Sequence, residues 1–209
     1  MEFPDLVRNV DIAKDVPAAF LVHPLVRDVR LVGSRATGDA GPLSDWDFRL
    51  ESADLTVIKT ALPDLAARLN PLVKQWDRLA RSATYMLILP GAIKVDVLLD
   101  EPHDPEPPWS VRSETLRPID GHFWDWTLWL AGKRLKGDVE LVTAEMDKML
   151  AHLLSPMGVV EAPGSLEEAV VMYRDARELQ EARLGAVVDR ALEREVAGLL
   201  RRHGFRLRF

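Results

Sequence analysis

Two aspartates separated by one residue open the stretch "DWDFRLES", and a third sits alone in the apolar run "IKVDVLL". On a strand, residues two apart face the same way. Asp45 and Asp47 then project together while Trp46 and Phe48 point to the other face. An ionised aspartate inside an apolar strand, such as Asp96, must be paired, protonated or bound to a cation. On a neighbouring strand it would bring three carboxylates within a few ångströms of one another. At an effective dielectric near 20, two unit charges ~4 Å apart repel by roughly 4 kcal/mol. Without compensation at least one carboxylate takes up a proton, and divalent cations remove that penalty. An all-oxygen ligand set in a chain without cysteine favours Mg2+ or Mn2+ over Zn2+. The plainer alternatives are a surface strand end for the pair, and Arg49 or Lys94 as a charge partner for Asp96.

The loop before the pair, "VRLVGSRATGDAG", runs from an apolar strand into Gly33-Ser34 and a short helical turn. Gly33 permits close backbone approach or an unusual φ. Ser34 can cap a helix start, where free N–H groups suit phosphate oxygens. A simple strand-to-helix turn explains the same residues. Gly33 and Gly38 have P-loop separation, but Asp39 stands where the phosphate-binding lysine is required, and there is no G-x-G-x-x-G fingerprint.

The elements that would carry these residues change character along the chain. Between residues 26 and 99, β-rich runs ("VRDVRLV", "DWDFRLES", "TYMLIL", "IKVDVLL") surround a predicted helix over "TVIKTALPDLAARLN" that Pro63 should disturb. "ILPGAIKVD" reads as a hairpin turning at Pro90-Gly91. From about residue 120 the pattern is helical. "DGHFWDWTLWLAGKRLKG" ends in basic residues and Gly137, "DVELVTAEMDKMLAHLL" starts at Asp138, and Ser165 with Glu168 forms a capping box. The amphipathic "AVVDRALEREVAGLLRRHG" stops at Gly204. "DEPHDPEPPWS", residues 100–110 with four prolines, is expected to be a linker or surface loop. A sheet domain over residues 1–105 and a helical domain over 106–209 are expected on either side of a boundary in that segment.

Of the 209 residues 47% are hydrophobic and 29% charged, ordinary values for a soluble globular chain. The absence of cysteine excludes disulfides and thiolate metal sites, and with no signal-peptide pattern it implies a cytoplasmic setting. No apolar run is long enough to span a membrane. The net charge of −6 is concentrated in the first 110 residues, where 12 Lys and Arg face 17 Asp and Glu. That acidity argues against a nucleic-acid partner and suits metal ions or a cationic small molecule.

Gly33-Ser34, ten intervening residues, Asp45-Trp46-Asp47 and a later strand aspartate, Asp96, together resemble the nucleotidyltransferase superfamily related to DNA polymerase β. The layout resembles the small antibiotic nucleotidyltransferases that modify aminoglycosides or lincosamides. The resemblance covers about a third of the chain. It implies an α+β fold: a catalytic domain with a mixed β-sheet flanked by helices, then a C-terminal helical bundle. It also implies roles. Gly33 and Ser34 would hold the phosphates of ATP or another nucleoside triphosphate. Asp45, Asp47 and Asp96 would bind two Mg2+ ions (or Mn2+), and a nucleoside monophosphate would pass to an acceptor hydroxyl with release of pyrophosphate. The alternatives are a protein-directed nucleotidyltransferase, the antitoxin of a HEPN-type pair, and an inactive nucleotide-binding protein. The long helical extension favours a small-molecule acceptor; a protein acceptor and a homodimer stay open.

Asp96 is the first candidate for general base, with Asp125 or Glu145 as alternatives whose plainer reading is a solvated helix face. Glu101, Asp104 and Glu106 could bind a polyamine acceptor or form an ordinary acidic loop. Lys133, with Arg134 and Lys136, could reach the triphosphate or complement a helix C-terminus. Phe123, Trp124, Trp126 and Trp129 are expected in an interdomain core. The histidines lack metal-ligand spacing, and the closing "RRHGFRLRF" is read as a solvated tail.

Overall fold

Strand texture dominates the first half and helix texture the second, and the computed structural model, which describes residues 11–207, follows that division. The order is α1 (Ile12–Leu21), β1 (Val26–Val32), α2 (Gly33–Thr37), β2 (Trp46–Ser52), α3 (Leu55–Ala67), β3 (Val73–Trp76), β4 (Ser82–Leu89) and β5 (Ile93–Pro102). Helices follow: α4 (Leu116–Leu135), α5 (Val139–Met149), a π-helical turn (Leu150–Leu154), α6 (Ser155–Met157), α7 (Leu166–Leu184) and α8 (Ala191–Arg202). The protein is therefore of mixed α+β class, a five-stranded sheet followed by packed helices.

The sheet order is β1-β2-β5-β4-β3. β2 and β5 run parallel, and the other neighbouring pairs are antiparallel. Each strand's alternation sorts side chains to two faces. Phe48 and Leu50 of β2 and Val95, Val97 and Leu99 of β5 are buried against Val16 and Phe20 of α1 and Ile58 and Leu62 of α3. The opposite face presents Asp47 on β2 with Lys94 and Asp96 on β5. It also carries Ile88 of β4, which joins a second core built from α4 to α8. The helices thus cover the acidic face of the sheet. α4 is buried nearly all round, as a helix packed between a sheet and other helices must be. Gly121 lets it approach β3, where a Cβ would lie 2.9 Å from Val73 Cγ1.

A buried ion network ties the helices together. Arg177 of α7 donates to Asp120 of α4 at 2.9 Å and to Glu193 of α8, and the Tyr173 hydroxyl donates to Asp120 at 2.8 Å.

Several sequence expectations need correction. α3 runs through Pro63 to Ala67 because burial of Leu62, Leu65 and Ala66 outweighs one lost backbone bond. β5 continues into the proline-rich segment as far as Pro102, which pairs with Ser82 at its end. The rest of that segment is tied down: Glu106 pairs with Arg78 at 2.7 Å, and Trp109 N–H donates to the His152 carbonyl at 2.9 Å. The closing tail is only partly solvated up to residue 207: Phe205 and Leu207 are buried in the helical core, while Arg201, Arg202 and Arg206 are exposed. Residues 208 and 209, like 1–10, lie outside the described residues. α1 and β3 lacked a legible signal, the first being interrupted by Pro17 and the second only four residues long.

Candidate functional site

β1 and β2 pair with Val32 opposite Asp47, so the turn that starts at Gly33 lies directly over that carboxylate. Gly33 has φ +67°, and a Cβ there would stand 2.2 Å from Asp47 Oδ2. The position therefore demands glycine twice, for its backbone and for its space. Ser34 follows in the first turn of the five-residue α2, half-buried. Arg35 Nε donates to the carbonyls of Ser44 (3.1 Å) and Asp45 (3.0 Å), and its guanidinium lies 4.3 Å from the centre of the Trp46 ring. This clip fixes the loop that delivers Asp45.

The parallel pairing of β2 with β5 sets Asp47 beside Asp96. Asp45, Asp47 and Asp96 each offer an oxygen, and these atoms all lie within 4.8 Å of one another. Crowding has an electrostatic signature. Burial, then the like charges of Asp45 and Asp96, push Asp47 up to about 6. Burial also raises Asp96, an effect opposed by Lys94. Oxygen-only donors held this close in a half-buried setting fit a divalent cation of the Mg2+ or Mn2+ type.

Lys94 matters more than its place in the sequence suggests. It stands two positions before Asp96 and so on the same face, and its Nζ lies 2.7 and 2.6 Å from the two Asp96 oxygens. The same Nζ lies 3.1 Å from Asp125 Oδ1, and both side chains of that pair are 8% exposed. Burial by itself would lower Lys94; Asp125, Asp96 and Asp45 outweigh it and hold the ammonium well above its ordinary value.

Asp125 is accordingly not on a solvated helix face. It is buried in α4, and burial pushes it up to about 7. It lines a cleft of about 250 Å³ between the sheet and the helices, together with Lys94 and Asp96. Glu145 of α5 reaches the same cleft, only 15% exposed and paired with Lys148. His122, Asp125, Trp126 and Trp129 all line it. Their spacing of three, four and seven marks one stripe of α4, a helical periodicity legible in the sequence. His122 carries no charge at neutral pH because burial depresses it to about 4. It stacks on Trp126 with centroids 5.5 Å apart, and Asp77 lies 3.9 Å away.

The aromatic cluster expected in an interdomain core divides. Phe123 and Trp124 pack on Tyr173 in the helical core, whereas Trp126 and Trp129 face the cleft. Lys133 sits 5.2 Å over the Trp129 ring, and its charge acts on Asp47. Arg134 is turned away to Glu167 at 2.6 Å. Gly132 brings the end of α4 against the loop, where a Cβ would meet the Leu43 carbonyl oxygen at 3.1 Å. Glu101 and Glu106 are held by Lys59 and Arg78, Asp104 is exposed, and none of the three is among the residues that line the cleft.

None of the described helices is long and apolar enough to cross a membrane. No family model matches the sequence, and no curated protein matches it. Among solved structures the chain is similar to an aminoglycoside 6-adenyltransferase from Bacillus subtilis. The two share 10% identity at a TM-score of 0.36, over 90% of this chain and 97% of that one. At those values the likeness is one of outline.

Proposed function

We propose that the chain is a nucleotidyltransferase that moves a nucleoside monophosphate, AMP from ATP, onto a hydroxyl of a small-molecule acceptor. The observation that carries this reading is the convergence of Asp45, Asp47 and Asp96 within 4.8 Å, beneath a turn whose glycine abuts Asp47. Asp45 and Asp47, with an oxygen of Asp96, would hold the divalent cation, which when bound neutralises charge on the triphosphate and on the reacting oxygens.

The remaining roles fall to the chain's own groups. Gly33 and Ser34 bind phosphate oxygens, and Lys133, whose charge already acts on Asp47, adds a cation at the polyphosphate. The cleft beside Asp96 receives the acceptor, with Trp126 and Trp129 as its apolar wall. The acceptor oxygen bonds to the α-phosphorus, the bond from that phosphorus to the bridging oxygen breaks, and pyrophosphate leaves. The acceptor's proton passes to a carboxylate. Asp125 is favoured over Asp96 as that base, because both Asp96 oxygens are engaged by Lys94 and a buried carboxyl near 7 can accept a proton at neutral pH. In this reading residues 1–105 form the catalytic domain and residues 106–209 supply the acceptor side.

The test is incubation with each nucleoside triphosphate, Mg2+ and a panel of aminoglycosides and lincosamides, with mass spectrometry of the small molecules and of the protein. A nucleotidylated small molecule is expected, with its formation abolished in Asp45→Asn while the circular dichroism spectrum is unchanged. Label found only on protein would transfer the reading to a protein acceptor; wild-type turnover in Asp45→Asn would remove the mechanism.

A further inference from the structure

Three carboxylates could recruit two divalent ions, but one of the three is already bound to a cation that the chain itself supplies. Lys94 Nζ bridges both oxygens of Asp96 and the near oxygen of Asp125, at 2.6–3.1 Å. The Lys94 side chain is 8% exposed and Asp96 14%, so the ammonium is enclosed by its two partners. Its location follows from covalent geometry as well as charge. Lys94 and Asp96 alternate on one strand face, and α4 places Asp125 over them.

We infer that Lys94 takes the place of a second metal ion, so that the site binds one divalent cation per chain. This rests on the nucleotidyltransferase reading and revises the ion count that the sequence resemblance implies. A divalent ion on the Asp125 side of Asp96 would stand within a few ångströms of a buried ammonium. Their repulsion is twice that of two unit charges, with little solvent to screen it. On the side of Asp96 that faces Asp45 and Asp47 the same ammonium repels an ion too, but there three carboxylate oxygens converge to offset it. Lys94 thereby separates two functions along one short line of acids: a cation site at Asp45 and Asp47, and an acceptor side at Asp125 whose cation is supplied by the protein.

The experiment counts bound Mn2+ by electron paramagnetic resonance in the presence of a non-hydrolysable triphosphate analogue. One Mn2+ per chain is expected for the wild type and two for Lys94→Met, which vacates the bridging position. Two Mn2+ ions on the wild-type protein would overturn the inference while leaving the nucleotidyltransferase reading intact. Binding of neither Mn2+ nor the analogue would sink that underlying reading. A count of one in a folded Lys94→Met protein would also overturn the inference, since the ammonium would then not set the number. Should that variant fail to fold, the wild-type count decides alone.

Discussion

Replacing Asp47 with asparagine should make the metal-free protein more stable. The rise of Asp47 from its ordinary 3.8 to about 6 means that ionising it in the folded state costs about 3 kcal/mol. The carboxylate is only half-buried, and solvent screening reduces this to about 1–2 kcal/mol. Asparagine keeps the shape and removes the charge, and among the described residues no donor bonds to the Asp47 side chain that the change would forfeit. The sign follows from proton counts. Between pH 3.8 and about 6 the unfolded chain releases the Asp47 proton while the folded protein retains it, so the wild type loses stability as pH rises through this window. The variant is spared that loss. Its advantage should be absent below about pH 4, grow to its full size near pH 6 and persist above. For a chain of this size it corresponds to a melting temperature about 2–8 °C higher at pH 8. The assay is thermal and urea denaturation in a chelator across pH 4–8. Mg2+ should then reverse the ranking, because an ion at a hundred times its dissociation constant stabilises the wild type by about 2.7 kcal/mol. A variant no more stable than wild type at pH 8, or an advantage that does not shrink on acidification, would refute the account of a strained carboxylate cluster.

Two further perturbations probe the supports of the site. Gly33→Ala places a methyl group 2.2 Å from Asp47 Oδ2 at a backbone φ of +67°. It should cost about 1–3 kcal/mol in urea denaturation and weaken Mn2+ binding at least about tenfold, and unchanged Mn2+ affinity would return this turn to a purely local role. Arg177→Ala removes the cation that Asp120 and Glu193 share, stranding the buried Asp120 while Glu193 keeps Arg174 at 2.8 Å. A loss of about 3–5 kcal/mol in chemical denaturation is expected, and a loss below about 1 kcal/mol would mean that the network contributes little to joining α4, α7 and α8.

Much of this was legible because local periodicity is a covalent property. The two-residue repeat of a strand puts Lys94 with Asp96, whatever surrounds them; Asp45, expected on the same strand as Asp47, instead lies just before β2 and is brought to it by the loop that Arg35 clips. Glycine and serine before the pair announced a turn, and Pro90-Gly91 a hairpin that pairs Leu89 with Ile93. Other features mislead where a local rule meets a tertiary demand. Pro63 stays helical because its neighbours are needed in the core, and Asp125 looks solvent-facing because a single carboxylate in a helix ordinarily is. The His122, Asp125, Trp126 and Trp129 stripe has helical spacing, but its mixture of polar and aromatic residues hides which way it faces.

The sequence by itself determined which side chains share a face within each strand and helix, since φ/ψ geometry fixes that from neighbour to neighbour. It therefore contained the Lys94–Asp96 face and the α4 stripe as separate pieces, and the acidic pair only as a spacing that the loop before β2 completes. Only the tertiary structure decided that β2 lies parallel beside β5, bringing Asp47 next to Asp96 from a distant part of the chain, and that α4 closes over them with Asp125 on Lys94. Strand order and helix docking are chosen by burying both faces of one sheet at once. That condition belongs to the whole chain, and no short stretch of residues carries it.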